Sequence, residues 1–178
     1  MVKLLIILLC VTFLFSSCEQ KENPKYYWVE FDKRYEKSDT NQIFHFNQTN
    51  SADSIKLSYF SKLDTINYIL VKSNRDSSLI TGYYTQHGHL RPLLDTSILL
   101  SQETYSVTVY IFNEFVTDGA SLHYYEPTIG IYAIHSSTWP GITYLQTTDS
   151  LVNNKIKRLM KATIPEFFIR GQLAEELK

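Results

Sequence analysis

The alternation of apolar and polar residues with a period of two constrains the fold of this chain more than any other sequence feature. In the clearest segment, Glu103 to Phe115, Val107 and Val109 lie on one side of an extended strand and Thr108 and Tyr110 on the other. Shorter segments of the same kind recur along the chain and are separated by turn residues at hairpin spacing. The pattern predicts an antiparallel meander that forms a sandwich or a half-open barrel.

The periodicity changes to 3.6 residues after Thr147, which predicts an amphipathic helix in the C-terminal part of the chain. Asp149 or Thr148 is a suitable N-cap, and Pro165 would end the helix. The apolar face would consist of Val152, Ile156, Leu159, Met160 and Thr163. The predicted fold class is therefore mainly β, with a C-terminal amphipathic α-helix.

The first 18 residues, MVKLLIILLCVTFLFSSC, combine a positive Lys3, an apolar run from Leu4 to Phe15 and small residues before Cys18. The apolar run is too short to span a bilayer as a resident helix. This segment resembles the signal peptide of bacterial lipoproteins, whose lipobox ends at an acylated cysteine. It departs from the family pattern because Phe15 stands where leucine is usual and Leu14 comes one position early.

The resemblance covers only this segment, and it implies a signal peptide over residues 1–17 and lipidation, including palmitate, at Cys18. An ordinary cleaved secretory signal is the alternative. Residues 18–25 would form the lipidated cysteine and a polar tether, whose seven residues after Cys18 reach on the order of 15 Å. Gln20-Lys21-Glu22 is similar to the short export signals of surface lipoproteins in the Bacteroidota, which favours the outer membrane over the inner membrane.

Residues 26–178 are long enough for a single β-rich domain with its own hydrophobic core. Cys10 lies in the segment that would be removed and Cys18 would carry the lipid, so no thiol remains for a disulfide. Without Lys3 the mature chain has 16 basic and 18 acidic residues, a net charge of −2. Nucleic acid is not an expected partner, because it normally requires a clearly basic surface.

His87 and His89 form the most site-like cluster, with Arg91 close in sequence. Two imidazoles one residue apart can share a metal ion or place a base beside a ligand. A metal site needs at least a third ligand, and the candidates are distant in sequence, so we expect no metal. The alternative is an exposed polar loop.

The aromatic residues offer a second possible ligand site. Tyr124, Tyr125 and Trp139 belong to a large aromatic set that could bind glycans, peptides or acyl chains on a β surface. Core filling and cross-strand pairing explain the same residues without a ligand.

Motifs for nucleophilic catalysis are absent: the chain has no Gly-x-Ser-x-Gly elbow and no Ser-x-x-Lys. It also lacks a glycine-rich phosphate loop, and we expect no cofactor. The sequence therefore favours an anchored envelope or periplasmic protein with a binding or assembly role toward a partner protein, a glycan or a lipid. The alternatives are a small envelope hydrolase and a lipid carrier with a cavity under the C-terminal helix.

Overall fold

The computed structural model describes residues 24–31, 43–62, 65–72, 79–84, 88–112, 119–136 and 141–164. These residues form ten β-strands and one α-helix. The strands are β1 (Tyr26–Phe31), β2 (Ile43–Asn50), β3 (Ser54–Phe60), β4 (Thr65–Lys72), β5 (Leu79–Tyr84), β6 (Gly88–Leu100), β7 (Glu103–Phe112), β8 (Ser121–Glu126), β9 (Gly130–Ser136) and β10 (Ile142–Thr147), and the helix is α1 (Ser150–Thr163).

Every strand pairs in antiparallel fashion with its neighbours in the chain, as the hairpin-length spacings predict. The ring closes through β1, which pairs with β10 along its whole length, from Tyr26↔Thr147 to Phe31↔Ile142. On its other edge, among the described residues, β1 pairs with β2 at Tyr26↔Phe44 and Tyr27↔Ile43. The predicted mainly β antiparallel fold is confirmed, and of the two proposed architectures the barrel is observed, with its seam between β1 and β2.

Gly88 and Pro92 are residue types typical of breaks between strands, yet both lie within one strand: β6 begins at Gly88 and continues through Pro92. The register with β7 shifts between Pro92 and Leu94, which marks a β-bulge. Proline is tolerated in strands at bulges and edges, because it has no N–H to donate to a ladder.

The predicted amphipathic helix is confirmed as α1. The N-cap is Asp149, whose Oδ1 accepts hydrogen bonds from Leu151 N (2.8 Å) and Val152 N (3.3 Å). Ile156, Leu159 and Met160 are buried, as the periodicity predicts. The region after Ile164, including Pro165, lies outside the described residues.

Because the meander runs up and down, the barrel has two ends that differ in what they carry. At the end that we call proximal, β1 begins at Tyr26, β6 and β10 end at Leu100 and Thr147, and α1 begins at Ser150. At the opposite end, which we call distal, β3 ends at Phe60. The chain therefore enters the barrel at the proximal end, beside the start of the helix.

Helix α1 packs against β10 and β6 on the outer surface of the barrel. On β7 and β8, Tyr110 pairs with His123 on the inner face, so the alternating pair Val109↔Tyr124 faces outward. Val109 and Tyr124 are nevertheless buried. Thr163 near the end of the helix lies 3.2 Å from the hydroxyl of Tyr132 on β9. The helix thus covers part of the outside of the sheet.

Candidate functional site

The predicted site residues are not brought together within the described part of the chain. Cys18, His87 and Trp139 lie outside the described residues. His89 lies on β6 opposite Tyr83, where only the backbone is described. Arg91 is exposed on the same strand, opposite Ile111. The role of the histidine cluster stays a prediction.

Tyr124 and Tyr125 are neighbours in sequence, but their side chains lie on opposite faces of β8. Both are buried, Tyr124 under the outer layer and Tyr125 inside the barrel, where its ring lies 6.4 Å from that of Tyr110. This placement gives both residues a packing role. The prediction that they bind a ligand is not tested by it.

Side chains from opposite walls meet inside the barrel. The hydroxyl of Tyr59 on β3 accepts a hydrogen bond from Ile131 N (2.8 Å) and donates one to Ile131 O (3.2 Å) on β9, two strands that are not neighbours in the sheet. Gly130 makes this approach possible: an added Cβ would lie 2.5 Å from Tyr59 Oη and 2.9 Å from Phe46 Cζ. The backbone of Gly130 also has a φ of +88°, which favours glycine.

Two further contacts join opposite walls. The ring of Tyr68 on β4 lies 5.9 Å from that of His123 on β8. Near the proximal end, Gln48 Nε2 on β2 donates a hydrogen bond to the carbonyl oxygen of Pro127 (3.2 Å). With Leu57, Leu70, Leu90 and Leu145 also buried, the described interior is a packed core that spans the barrel.

Ser121 and His123 form the arrangement most similar to a catalytic pair. Ser121 Oγ lies 2.9 Å from His123 Nε2, a separation suited to a nucleophile and its general base. Burial lowers the pKa of His123 to about 3. Its imidazole is therefore neutral at ordinary pH and a weak base, whereas an effective general base has a pKa near the working pH. The contact therefore gives a buried imidazole a hydrogen-bond partner, and it is poorly suited to catalysis.

Burial also keeps the tyrosine hydroxyls inside the barrel protonated. It raises the pKa of Tyr125 to about 12, and it raises the pKa of Tyr59 and Tyr110 as well. Together with neutral His123, these groups make an interior that has many polar atoms but carries no charge from them.

Glu126 is a buried carboxylate at the proximal end. Its Oε2 accepts hydrogen bonds from Thr128 N (3.0 Å), Thr128 Oγ1 (2.7 Å) and Ile129 N (3.0 Å) and lies 3.2 Å from Lys155 Nζ. These contacts shape the turn between β8 and β9 and attach α1 to it. The carboxylate is occupied by structural contacts.

An exposed apolar surface lies at the distal end, on the outside of β2 and β3, and we call it the distal patch (Ile43, His45 and Phe60). His45 and Phe60 are directly opposite each other in the sheet, with rings stacked at 5.5 Å and 29°. Ile43 and Phe60 are 42% and 43% exposed. The sequence alternation correctly places Ile43 and His45 on the face opposite Phe44, which is buried, but it contains no signal for which face meets solvent.

Within the described ranges, no three His, Cys, Asp or Glu side chains are placed to hold a metal ion. Among those same residues no helix has the length and apolar character needed to cross a bilayer. Comparisons of the chain with protein-family models, with curated proteins and with solved structures gave no match.

Proposed function

We propose that this chain is a lipid-anchored protein of the bacterial cell envelope that binds a partner protein through the distal patch. The observation that carries the proposal is the stacked pair of His45 and Phe60, exposed beside Ile43 on the outside of a packed barrel. Aromatic and aliphatic side chains on an open surface are typical of the centre of a protein interface. The patch lies on the outer surface of a closed barrel, which is convex, whereas a small ligand needs a concave site.

The packed interior weighs against the lipid carrier. A carrier needs an internal cavity, whereas Tyr59 on β3 bonds directly to the backbone of Ile131 on β9. The helix that was expected to cover a cavity instead lies on the outer surface, with Thr163 against Tyr132. The hydrolase is disfavoured by the low pKa of His123, which makes the imidazole a poor partner for Ser121.

The anchor is supported by the sequence of residues 1–18 and by the position at which the chain enters the barrel. Lys25 N donates a hydrogen bond to Thr148 Oγ1 (3.1 Å), and Thr148 N donates one to Lys25 O (3.0 Å). These bonds fix the end of the tether beside the start of α1. Cys18 would then hold the domain at the membrane, and Gln20-Lys21-Glu22 favours the outer one.

The partner site can be tested by photocrosslinking in intact cells. A benzophenone amino acid at Phe60 should give a discrete protein adduct, and Ile43→Ser in the same chain should weaken it. The control is the same probe at Lys56, which is exposed on the outer face of the same strand, four residues nearer the proximal end. Adducts of equal yield from both positions, or none from Phe60, would contradict the proposal.

The anchor has its own test. Cys18→Ser should abolish incorporation of labelled palmitate and leave the protein out of the membrane fraction after detergent-free lysis, because the only acylation site is gone. Cys10→Ser is the matched control and should behave as the natural chain does. A Cys18→Ser protein that stays labelled and membrane-bound would exclude the anchor.

A further inference from the structure

The two most exposed large hydrophobic side chains in the described part of the chain both lie at the proximal end. Leu151 is 78% exposed and Leu99 is 71% exposed, whereas the other exposed large hydrophobics range from 38% to 54%. Leu151 is in the first turn of α1, and Leu99 is next to the last residue of β6, at the tip of the hairpin formed with β7. Two such exposed leucines at one end of the barrel favour contact with an apolar surface.

The tether leaves the barrel at the same end. Lys25 is hydrogen-bonded to Thr148, three residues before Leu151. The seven residues between Cys18 and Tyr26 span at most about 25 Å even when fully extended. A lipid on Cys18 would therefore hold the start of β1 and the nearby start of α1, with Leu151, within about that distance of the bilayer.

The helix and the hairpin belong to one continuous surface. Arg158 Nη2 donates a hydrogen bond to Ser101 Oγ (2.6 Å), two residues after Leu99, and Lys155 lies over the ring of Tyr105 at 4.6 Å from its centroid. Charged residues of both signs lie on or next to α1 and the hairpin, namely Lys157, Arg158, Glu103 and Asp149. A surface of mixed charge with protruding leucines suits the boundary between headgroups and acyl chains without requiring anionic lipid.

We infer that the proximal end rests on the membrane, with Leu99 and Leu151 inserted at the headgroup–acyl boundary; this inference rests on the proposed anchor at Cys18. The tether keeps both leucines at high local concentration near the bilayer, so that weak apolar contacts are enough to orient the domain.

The test uses the full lipidated protein reconstituted into phosphatidylcholine vesicles. Because Cys18 is acylated and Cys10 is removed with the signal peptide, a cysteine introduced by Leu99→Cys or Leu151→Cys is the only free thiol. It is labelled with a polarity-sensitive fluorophore, and the control is Lys62→Cys, an exposed position that follows β3 at the distal end. The labels at 99 and 151 should emit at shorter wavelength than the control and lose about half of their intensity to lipids carrying a shallow spin label.

The outcomes separate this inference from the function on which it rests. If the protein floats with the vesicles but the labels at positions 99 and 151 emit like the label at position 62, the anchor stands and the proposed orientation is wrong. If the protein does not float with the vesicles, the anchor fails and the orientation fails with it. A further variant combines Leu99→Ser with Leu151→Ser and should still float with the vesicles. A fluorophore attached through Ala52→Cys, in the proximal β2–β3 turn, should be quenched less in this variant than in the protein that keeps both leucines.

Discussion

Tyr59 links two walls of the barrel through one hydroxyl group. This hydroxyl is hydrogen-bonded to both the N–H and the carbonyl oxygen of Ile131. The ring of Phe46 lies 4.9 Å from that of Tyr59, and the hydroxyl fits only because Gly130 has no side chain. Tyr59→Phe would leave a buried backbone N–H without its partner, so we expect the free energy of unfolding to fall by about 1–3 kcal/mol. Denaturant unfolding monitored by circular dichroism measures this change.

Tyr105→Phe is the control for that prediction. The hydroxyl of Tyr105 donates to the exposed carboxylate of Glu103, so its removal should change stability by no more than about 0.5 kcal/mol. Equal effects of the two substitutions would mean that the contact across the barrel contributes nothing beyond an ordinary surface hydrogen bond.

His123 should make stability depend on pH. Its pKa is about 3 in the folded protein because burial disfavours the charged form, against 6.5 for a free histidine. Below pH 6.5, His123 is therefore protonated in the unfolded chain but stays neutral in the folded chain, so the free energy of unfolding falls as the pH drops. Between that value and about pH 5 the loss should reach about 2 kcal/mol.

Unfolding free energies measured across this range should show a smaller slope for His123→Gln, which cannot be protonated, than for the natural chain. The control is Thr49→Gln, at an exposed position without a titratable group, and it should leave the slope unchanged. If the slope survives His123→Gln, another group is responsible for it.

The turn between β6 and β7 places two residues that are not glycine in the left-handed region of the backbone. Ser101 and Gln102 have φ values of 49° and 74°, as in a type I′ turn, where asparagine and glycine are preferred. Gln102→Gly should therefore raise the free energy of unfolding by about 0.5–1 kcal/mol, because glycine adopts this conformation without steric cost. The control is Thr104→Gly, at the second residue of β7, which should destabilise the protein. Thermal unfolding of both variants shows whether glycine is favourable only at the turn position.

At the scale of elements, local patterns predicted most of the structure. The helix and its buried face follow from a periodicity that is visible over a few turns, and the observed N-cap, Asp149, is one of the two candidates that the sequence offers. Gly88 and Pro92 are residue types typical of breaks between strands, but the structure continues β6 through them with a bulge. A local rule identifies proline as a poor strand residue, but only the neighbouring strand reveals that a bulge accommodates it.

Among the described residues of the barrel, the shortest strand pairing is the one between β1 and β2. It consists there of Tyr26↔Phe44 and Tyr27↔Ile43, whereas β1 and β10 pair from end to end. We expect the barrel to open first at this seam, since the fewest hydrogen bonds must be broken there. In hydrogen exchange under mild denaturant, backbone amides at residues 43 and 44 should lose protection before those of residues 142–147. Simultaneous loss would indicate that the barrel opens as a single unit.

The sequence by itself determined the antiparallel meander and the C-terminal helix, and it carries the resemblance of residues 1–18 to a lipoprotein signal peptide, because each depends on residues close together in the chain. Tertiary structure alone decided which face of each strand is buried, that Tyr59 reaches Ile131 across 72 positions, and that Ile43, His45 and Phe60 share an exposed patch. These features depend on strand register and on side chains from distant strands meeting in space. An alternating sequence pattern looks the same whether a given face of the strand meets the core or the solvent, so the pattern cannot reveal which face is buried.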